Sequence, residues 1–405
     1  MINKTKIIDY LLVYFLVAFS GIPFFYRSRI EVLIVFLLFP LMVFLYRKRK
    51  VDKYIIYYIA FALLIQAGQV LKFYYLPVTT FIGLHVRLLF AYLTLKAVDK
   101  RFVGYYVNIL VFSVIISWFF YFLSYHSSFE YILRAKIAPY FKHPFIKESN
   151  YNYFNNVILY TINTKGEGFL FLKRNSGPFW EPGAFSGFLI IALLFNIIRN
   201  KYLWNRKSVI LVLGLISTFS TTGLIALLYV ITSYYLIHQN IKRRIVFVPV
   251  LIVGVIYLFV SVDFIGDKIM RKLSFTDYTY NTRFKSAQKD IIDFAQSPFV
   301  GLGRAEKTRF GEETEERKIH RNNGVTNLLA SYGIFAFFLY FILTWVGWRN
   351  YCRSRKFNTN FALFALGGIW LIGFSEVYFT KVFFIALTML PVLYEPVVNE
   401  EEVAE

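Results

Sequence analysis

Apolar blocks of helix length recur along this chain, at about 7–25, 30–46, 54–75, 80–95, 102–124, 184–198, 208–219, 222–238, 246–262, 326–346, 358–375 and 379–394. A tilted membrane-spanning helix needs roughly 17–25 apolar residues, so the rhythm predicts roughly 12 spans. One stretch does not fit the rhythm. "SVILVLGLISTFSTTGLIALLYVITSYYLIH" is too long for one span and short for two. Its "STFSTTG" predicts a break, because Ser, Thr and Gly tolerate non-helical backbone. Two long polar segments interrupt the series, at about 125–183 and 263–325. No internal repeat divides the chain, which reads as a single transmembrane domain over 1–405 with a short acidic tail at 395–405.

Composition agrees with this pattern. Hydrophobic residues make up 57% of the chain and charged residues only 17%, with a mean hydropathy of +0.52. A soluble domain of this size is excluded, and the fold class is an all-α polytopic integral membrane protein. The net charge of +21 suggests a nucleic-acid partner, but its placement argues against one. The basic residues cluster in short loops: "YRKRKVDKY", "KAVDKR", "RNKYLWNRK", "HQNIKRR" and "RNYCRSRK". With the break in 208–238 counted, all five fall on one side. The positive-inside rule makes that side the cytoplasm and leaves both termini there. The two long polar segments then become external loops. The one cysteine, Cys352, excludes an internal disulfide. The first apolar stretch lacks a small-residue cleavage site and reads as a first span.

The first external loop re-enters the bilayer through Arg174, Phe179, Trp180, Glu181 and Pro182–Gly183. A carboxylate there has two readings. It is stabilised at a helix start, by about 0.3–1 kcal/mol, or it is a general base, made more basic by partial desolvation beside aromatic rings. Arg174 suits either lipid phosphate or a substrate phosphate gripped by both guanidinium arms. In the second loop, residues 281–295 carry Phe284, Ala287, Ile291 and Phe294 at helical spacing, the pattern of an amphipathic surface helix. Arg283, Arg304, Arg309 and Arg321 gather there as a candidate anion site. His320 has no second ligand at metal spacing, so no metal is expected. Glu376 and Lys381 flank the last outer turn, as an ion pair or as functional groups close to the bilayer.

Four segments in order carry a resemblance. "RNSGPFWEPGAFSGFL" resembles the arginine-to-glutamate signature ending the large outer loop of Wzy-type O-antigen and capsular polysaccharide polymerases. "STFSTTGLIALL" resembles their Ser/Thr-rich break. "NTRFKSAQKDIIDFAQSPFVGLG" is similar to the Arg-led segment and Gly-x-Gly that the polymerases share with O-antigen ligases. "HRNNGVTNLLASYGIFAF" resembles the helix entry that follows. Together they span about 170–345.

The resemblance implies a GT-C-like bundle with an outward-facing cavity, in the bacterial cytoplasmic (inner) membrane. It implies a metal-independent glycosyltransferase without cofactors. A polyprenyl (undecaprenyl) diphosphate-linked oligosaccharide serves as donor and as acceptor, for lipopolysaccharide or capsule. A chain-length regulator is a further partner, membrane lipid surrounds the protein, and nucleic acid is not a partner. Catalytic roles then fall to Glu181 as base and to Arg283 and Arg174 on the diphosphate. Arg321, Arg304, His320, Asn322, Trp180 and Glu376 are the substrate-binding candidates, and Phe179 joins Trp180 as a ring for sugar stacking. The ligases carry a histidine where this chain has Asn322, which favours the polymerase. The alternatives are an O-antigen-type ligase, a glycan-lipid flippase, which requires repeated halves or broken helices at mid-membrane, and a non-catalytic assembly protein.

Overall fold

The structure is a computed structural model that describes residues 4–26, 30–141, 155–163, 172–238, 278–310 and 321–394. Its helices in chain order are α1 (Lys4–Gly21), α2 (Ile30–Tyr46), α3 (Lys53–Phe73), α4 (Val78–Val98), α5 (Phe102–Leu123), α6 (Pro182–Asn200), α7 (Arg206–Ser217), α8 (Thr221–His238), α9 (Tyr278–Gln296), α10 (Gly324–Ser354), α11 (Phe361–Ser375) and α12 (Val382–Thr388). The one sheet among the described residues pairs β1 (Asn155–Asn156) with β2 (Thr161–Ile162), antiparallel. Five helical stretches are long and apolar enough to cross a membrane, and shorter apolar helices accompany them. This is the predicted all-α polytopic class. The span predicted at 246–262 lies outside the described residues.

Charge pairing collects the basic loops at one end of the bundle. Asp9 of α1 holds both Arg47, after α2, and Arg101, before α5. Asp52 pairs with Lys96, and Asp99 with Arg49. Lys207 donates to Asn108 across α7 and α5. His238, ending α8, lies against Phe357 in the α10–α11 turn. The split at "STFSTTG" makes this alternation possible. α7 ends at Ser217, α8 begins at Thr221, and Phe219 between them has φ +46°.

One helix organises the rest. α6 is buried from Ala184 to Ile198 without interruption, as expected of a helix apolar on every face. Tyr106 of α5 donates to the Phe188 carbonyl, and Trp348 of α10 stacks on Phe195 at 4.3 Å between centroids. The tip of α6 therefore lies at the centre of the other bundle end, not at its rim.

α10 is broken at Gly333, where φ is +77°. A break inside a span frees backbone groups that lipid cannot satisfy. The segment after α9 fills this one. Leu302 N–H donates to the Ala330 carbonyl, Gly303 N–H to Ser331, and Ile334 N–H to Pro298. Gln69 of α3 donates to both the Val300 and Ser331 carbonyls. A Cβ at Gly301 or Gly333 would overlap the opposing backbone, so "GLG" serves backbone approach here. α9 presents Ile291 and Ile292 outward and buries Ser286 and Asp290 against the protein, so its polar face is the packed one.

Orientation can be read by thiol labelling. Cys352 is buried and gives no background. Single cysteines at the exposed positions Tyr140 and Leu159 are expected to react with a membrane-impermeant maleimide on intact cells. One at Trp204 should react only after permeabilisation, and reaction there in intact cells would reverse the assigned orientation.

Candidate active site

The site is built where four helices begin. α6, α8, α10 and α12 all start at the same end of the bundle and touch one another there. Ser186 of α6 lies against Gly223 of α8, and Gly324, opening α10, has no room for a Cβ against the Glu376 and Gly373 carbonyls. Tyr378 donates from the α11–α12 turn to the Gly183 and Ala184 carbonyls, both at 3.2 Å. Helix starts carry partial positive charge and unsatisfied N–H groups, so negative charge is stabilised among them.

Two carboxylates occupy that position. Glu181 is the N-cap residue of α6, with Pro182 as the first helical residue, the place proline favours. Its backbone is extended, and its side chain makes no capping hydrogen bond. The hydrogen-bonding part of a cap is therefore absent, while the helix-start potential still acts on the carboxylate. A Cβ built on Gly183 would sit 3.4 Å from Glu181 Oε1, 3.5 Å from Glu376 Oε1 and 3.9 Å from Ser220 Oγ. The missing side chain at Gly183 thus leaves a hollow bounded by two carboxylates and a hydroxyl. Trp180 is half-buried, with the Lys381 ammonium 5.3 Å from its ring centroid and Tyr378 at 6.1 Å. Phe179 is not a sugar platform. It is fully buried, packed on Phe188 with centroids 4.3 Å apart.

The arginines separate into different environments. Arg174 Nε donates to the Thr218 carbonyl at 3.2 Å, and Asn175 beside it bonds to Ser117 and Ser217. This ties the re-entering loop to the end of α7. Arg309 and Arg321 do not form an open cationic cluster. Arg309 pairs with Asp290, and Arg321 Nη2 with Asp293 at 3.0 Å. Thr326 of α10 donates to the other Asp290 oxygen at 2.8 Å. Burial pushes the Asp290 carboxyl up to about 6, against the opposing pull of Arg309 and the Thr326 hydroxyl. Arg321 is thus a half-buried ion-pair residue. Asn322 is exposed, its N–H bonded to the Ser286 hydroxyl. Arg304 is exposed, next to Gly303. The Arg283 side chain and His320 lie outside the described residues.

Residues 207–341, a third of the chain, match the family described as O-Antigen ligase. The match is consistent with the O-antigen polymerase/ligase superfamily. No curated protein matches the chain. The matched region runs from the start of α7 to the middle of α10, so it contains the Ser220 break, Arg283, Arg304, Arg321 and the Gly301–Gly333 junction, while Glu181 and Glu376 lie outside it. The match supports an O-antigen ligase- or polymerase-like role in membrane glycan processing. It also supports glycosyltransferase-like activity on polyprenyl-linked glycans.

Sequence reasoning missed two features. The aspartates of α9 that neutralise Arg309 and Arg321 were legible as residues but not as partners. Arg87, within the apolar span of α4, faces Arg304 across a cleft. A charge inside a span is itself the signal that could have found it.

Arg309→Met would leave Asp290 buried without its closest cation. It is expected to cost about 3–5 kcal/mol, read as a lower unfolding temperature of detergent-solubilised protein. Wild-type melting would show that the network does not hold α9 on α10.

Proposed function

We propose that the chain is a bacterial polysaccharide polymerase, joining polyprenyl-diphosphate-linked oligosaccharide repeat units at the outer face of the cytoplasmic membrane. The observation that carries this reading is Glu181, without a capping bond, at the tip of the buried central helix and beside Glu376 and Ser220. In this reading the basic bundle end faces the cytoplasm and the Glu181 end faces outward. Energy for transfer is then carried by the diphosphate leaving group.

Glu181 takes the proton from the acceptor sugar hydroxyl as its oxygen bonds to the donor's anomeric carbon. The bond from that carbon to the diphosphate breaks, and its electron pair leaves on the diphosphate oxygen. Arg283 from the second long loop neutralises that charge, together with Arg174 from the first. The four helix starts add a fixed positive potential. Glu376 orients the acceptor from the opposite side of the Gly183 hollow, and Trp180 offers a ring face to a sugar. Asn322 and His320 complete the acceptor side.

A ligase differs in the acceptor and not in the bond broken. The flippase reading loses support from the α10 break. In a transporter such a break faces substrate, and here it is closed by the chain's own 298–303 segment.

Glu181→Gln is nearly isosteric and is expected to melt like wild type while turnover falls roughly 10²–10⁴-fold. The assay uses purified protein with a lipid-diphosphate-linked repeat unit. A ladder of products marks a polymerase, and a single transfer to another acceptor marks a ligase. Normal turnover by the Gln variant would move the base to Glu376 or His320.

Arg283→Lys keeps the charge but loses the planar fork. It is expected to abolish long polymer in cells that make normal amounts of the variant. An unchanged polymer ladder removes Arg283 from the site.

A further inference from the structure

A cleft of ≈ 460 Å³ opens between the first turn of α2, the first three turns of α4 and the segment after Gly303. Arg87 and Arg304 both line it, together with Thr79, Thr80, Gly83 and Glu31. Arg87 lies close enough to Arg304 for the two like charges to act on one another. Among the described residues, neither arginine forms an ion pair or hydrogen bond. Two like charges facing one cleft repel, and the arrangement costs free energy unless an anion joins them. Arg304 is held there by Gly303, whose N–H is bonded to the broken helix α10.

The rest of the cleft suits a phosphate-bearing group. Thr79 and Thr80 lie in the first turn of a 21-residue helix, where N–H groups lack partners. Gly83 keeps the space beside Arg87 open. A Cβ there would stand 3.7 Å from Arg87 Nη1 and 3.5 Å from Ile30. Arg87 lies nine residues into α4, at about 1.5 Å per residue, so an anion reaching it stands at the level of the spans. A small apolar cavity lined by Leu84, Leu88 and Tyr332 flanks the same helix. Charge and apolar space side by side fit an amphipathic ligand.

We propose that Arg87 and Arg304 bind the diphosphate of a lipid-linked substrate, at a site separate from the hollow over Gly183. Two guanidiniums match two phosphoryl groups, each with bidentate geometry. A polymerase handles two lipid-linked diphosphates at once, and this cleft seats one of them. The inference rests on the proposed substrate class and not on the role of Glu181. Glu31 sets a limit on affinity, because its exposed carboxylate shares the cleft.

The test is equilibrium binding of radiolabelled farnesyl diphosphate to the full-length protein in neutral detergent. Saturable binding is expected, and farnesol should not compete. Arg87→Gln and Arg304→Gln should each weaken binding by about tenfold or more. Glu31→Gln should tighten it, a change of opposite sign that a merely structural cleft would not show. Arg304 is exposed, so its variant decides the matter if Arg87→Gln does not fold. Competition by inorganic diphosphate supports headgroup recognition, and weaker competition than by unlabelled farnesyl diphosphate adds the lipid tail. Unchanged affinity in the arginine variants overturns the proposal. So does loss of binding in bilayers containing phosphatidylglycerol but not in phosphatidylcholine, which would assign the cleft to phospholipid. Glu181→Gln should bind farnesyl diphosphate like wild type. If that variant also turns over normally while the arginine variants lose binding, only the base assignment falls. If the arginine variants bind normally while Glu181→Gln is inactive, only the cleft falls.

Discussion

The complete burial of α6 is the constraint on which the other elements depend. Its residues from Ala184 to Ile198 have no solvent or lipid face, so other helices must surround it. The helix must also begin at the centre of the bundle end. A chain entering there from a long polar loop arrives with polar residues at a buried position. Proline as first residue, glycine behind it and the Tyr378 hydroxyl on its first carbonyls meet that demand. Glu181 is carried to the centre as the last residue before the helix.

A second constraint is that backbone inside the bilayer must find partners within the protein. It explains why two breaks in spans take different forms. The α7–α8 break is closed by the re-entering loop, through Arg174 and Asn175 on Thr218 and Ser217. The α10 break is closed by backbone from 298–303 and by Gln69. Both long polar loops are therefore fastened to broken spans. This is how they are held close to helix starts whose dipoles favour anions. The same bonds fix Arg174 and Arg304 in position.

The arginines illustrate how one residue type serves three ends. Arg309 and Arg321 are paired in a buried network that holds α9 to α10. Arg174 completes a helix end through its Nε. Arg87 and Arg304 face a cleft, shared with the exposed Glu31, without an ion-pair partner among the described residues. What differs is whether an aspartate or a carbonyl stands opposite.

The sequence by itself determined the class, the position of most helices and the gathering of the basic loops at one end. These rest on local properties: apolar runs long enough to span, Ser/Thr/Gly breaks and the one-sided placement of basic loops. Ile30–Tyr46 was legible to the residue, and the break at 217–220 within one or two. The placement of Glu181 at a helix entrance was equally local. Tertiary structure alone decided that this entrance is central, that Glu376 and Ser220 come to the same hollow from distant helices, and that Phe179 is core while Trp180 is not. It also decided that Asp290 and Asp293 neutralise Arg309 and Arg321, and that Arg87 meets Arg304. Each of these is a pairing between residues far apart in the chain, and the periodicity of a single helix carries no information about which face another helix will present to it.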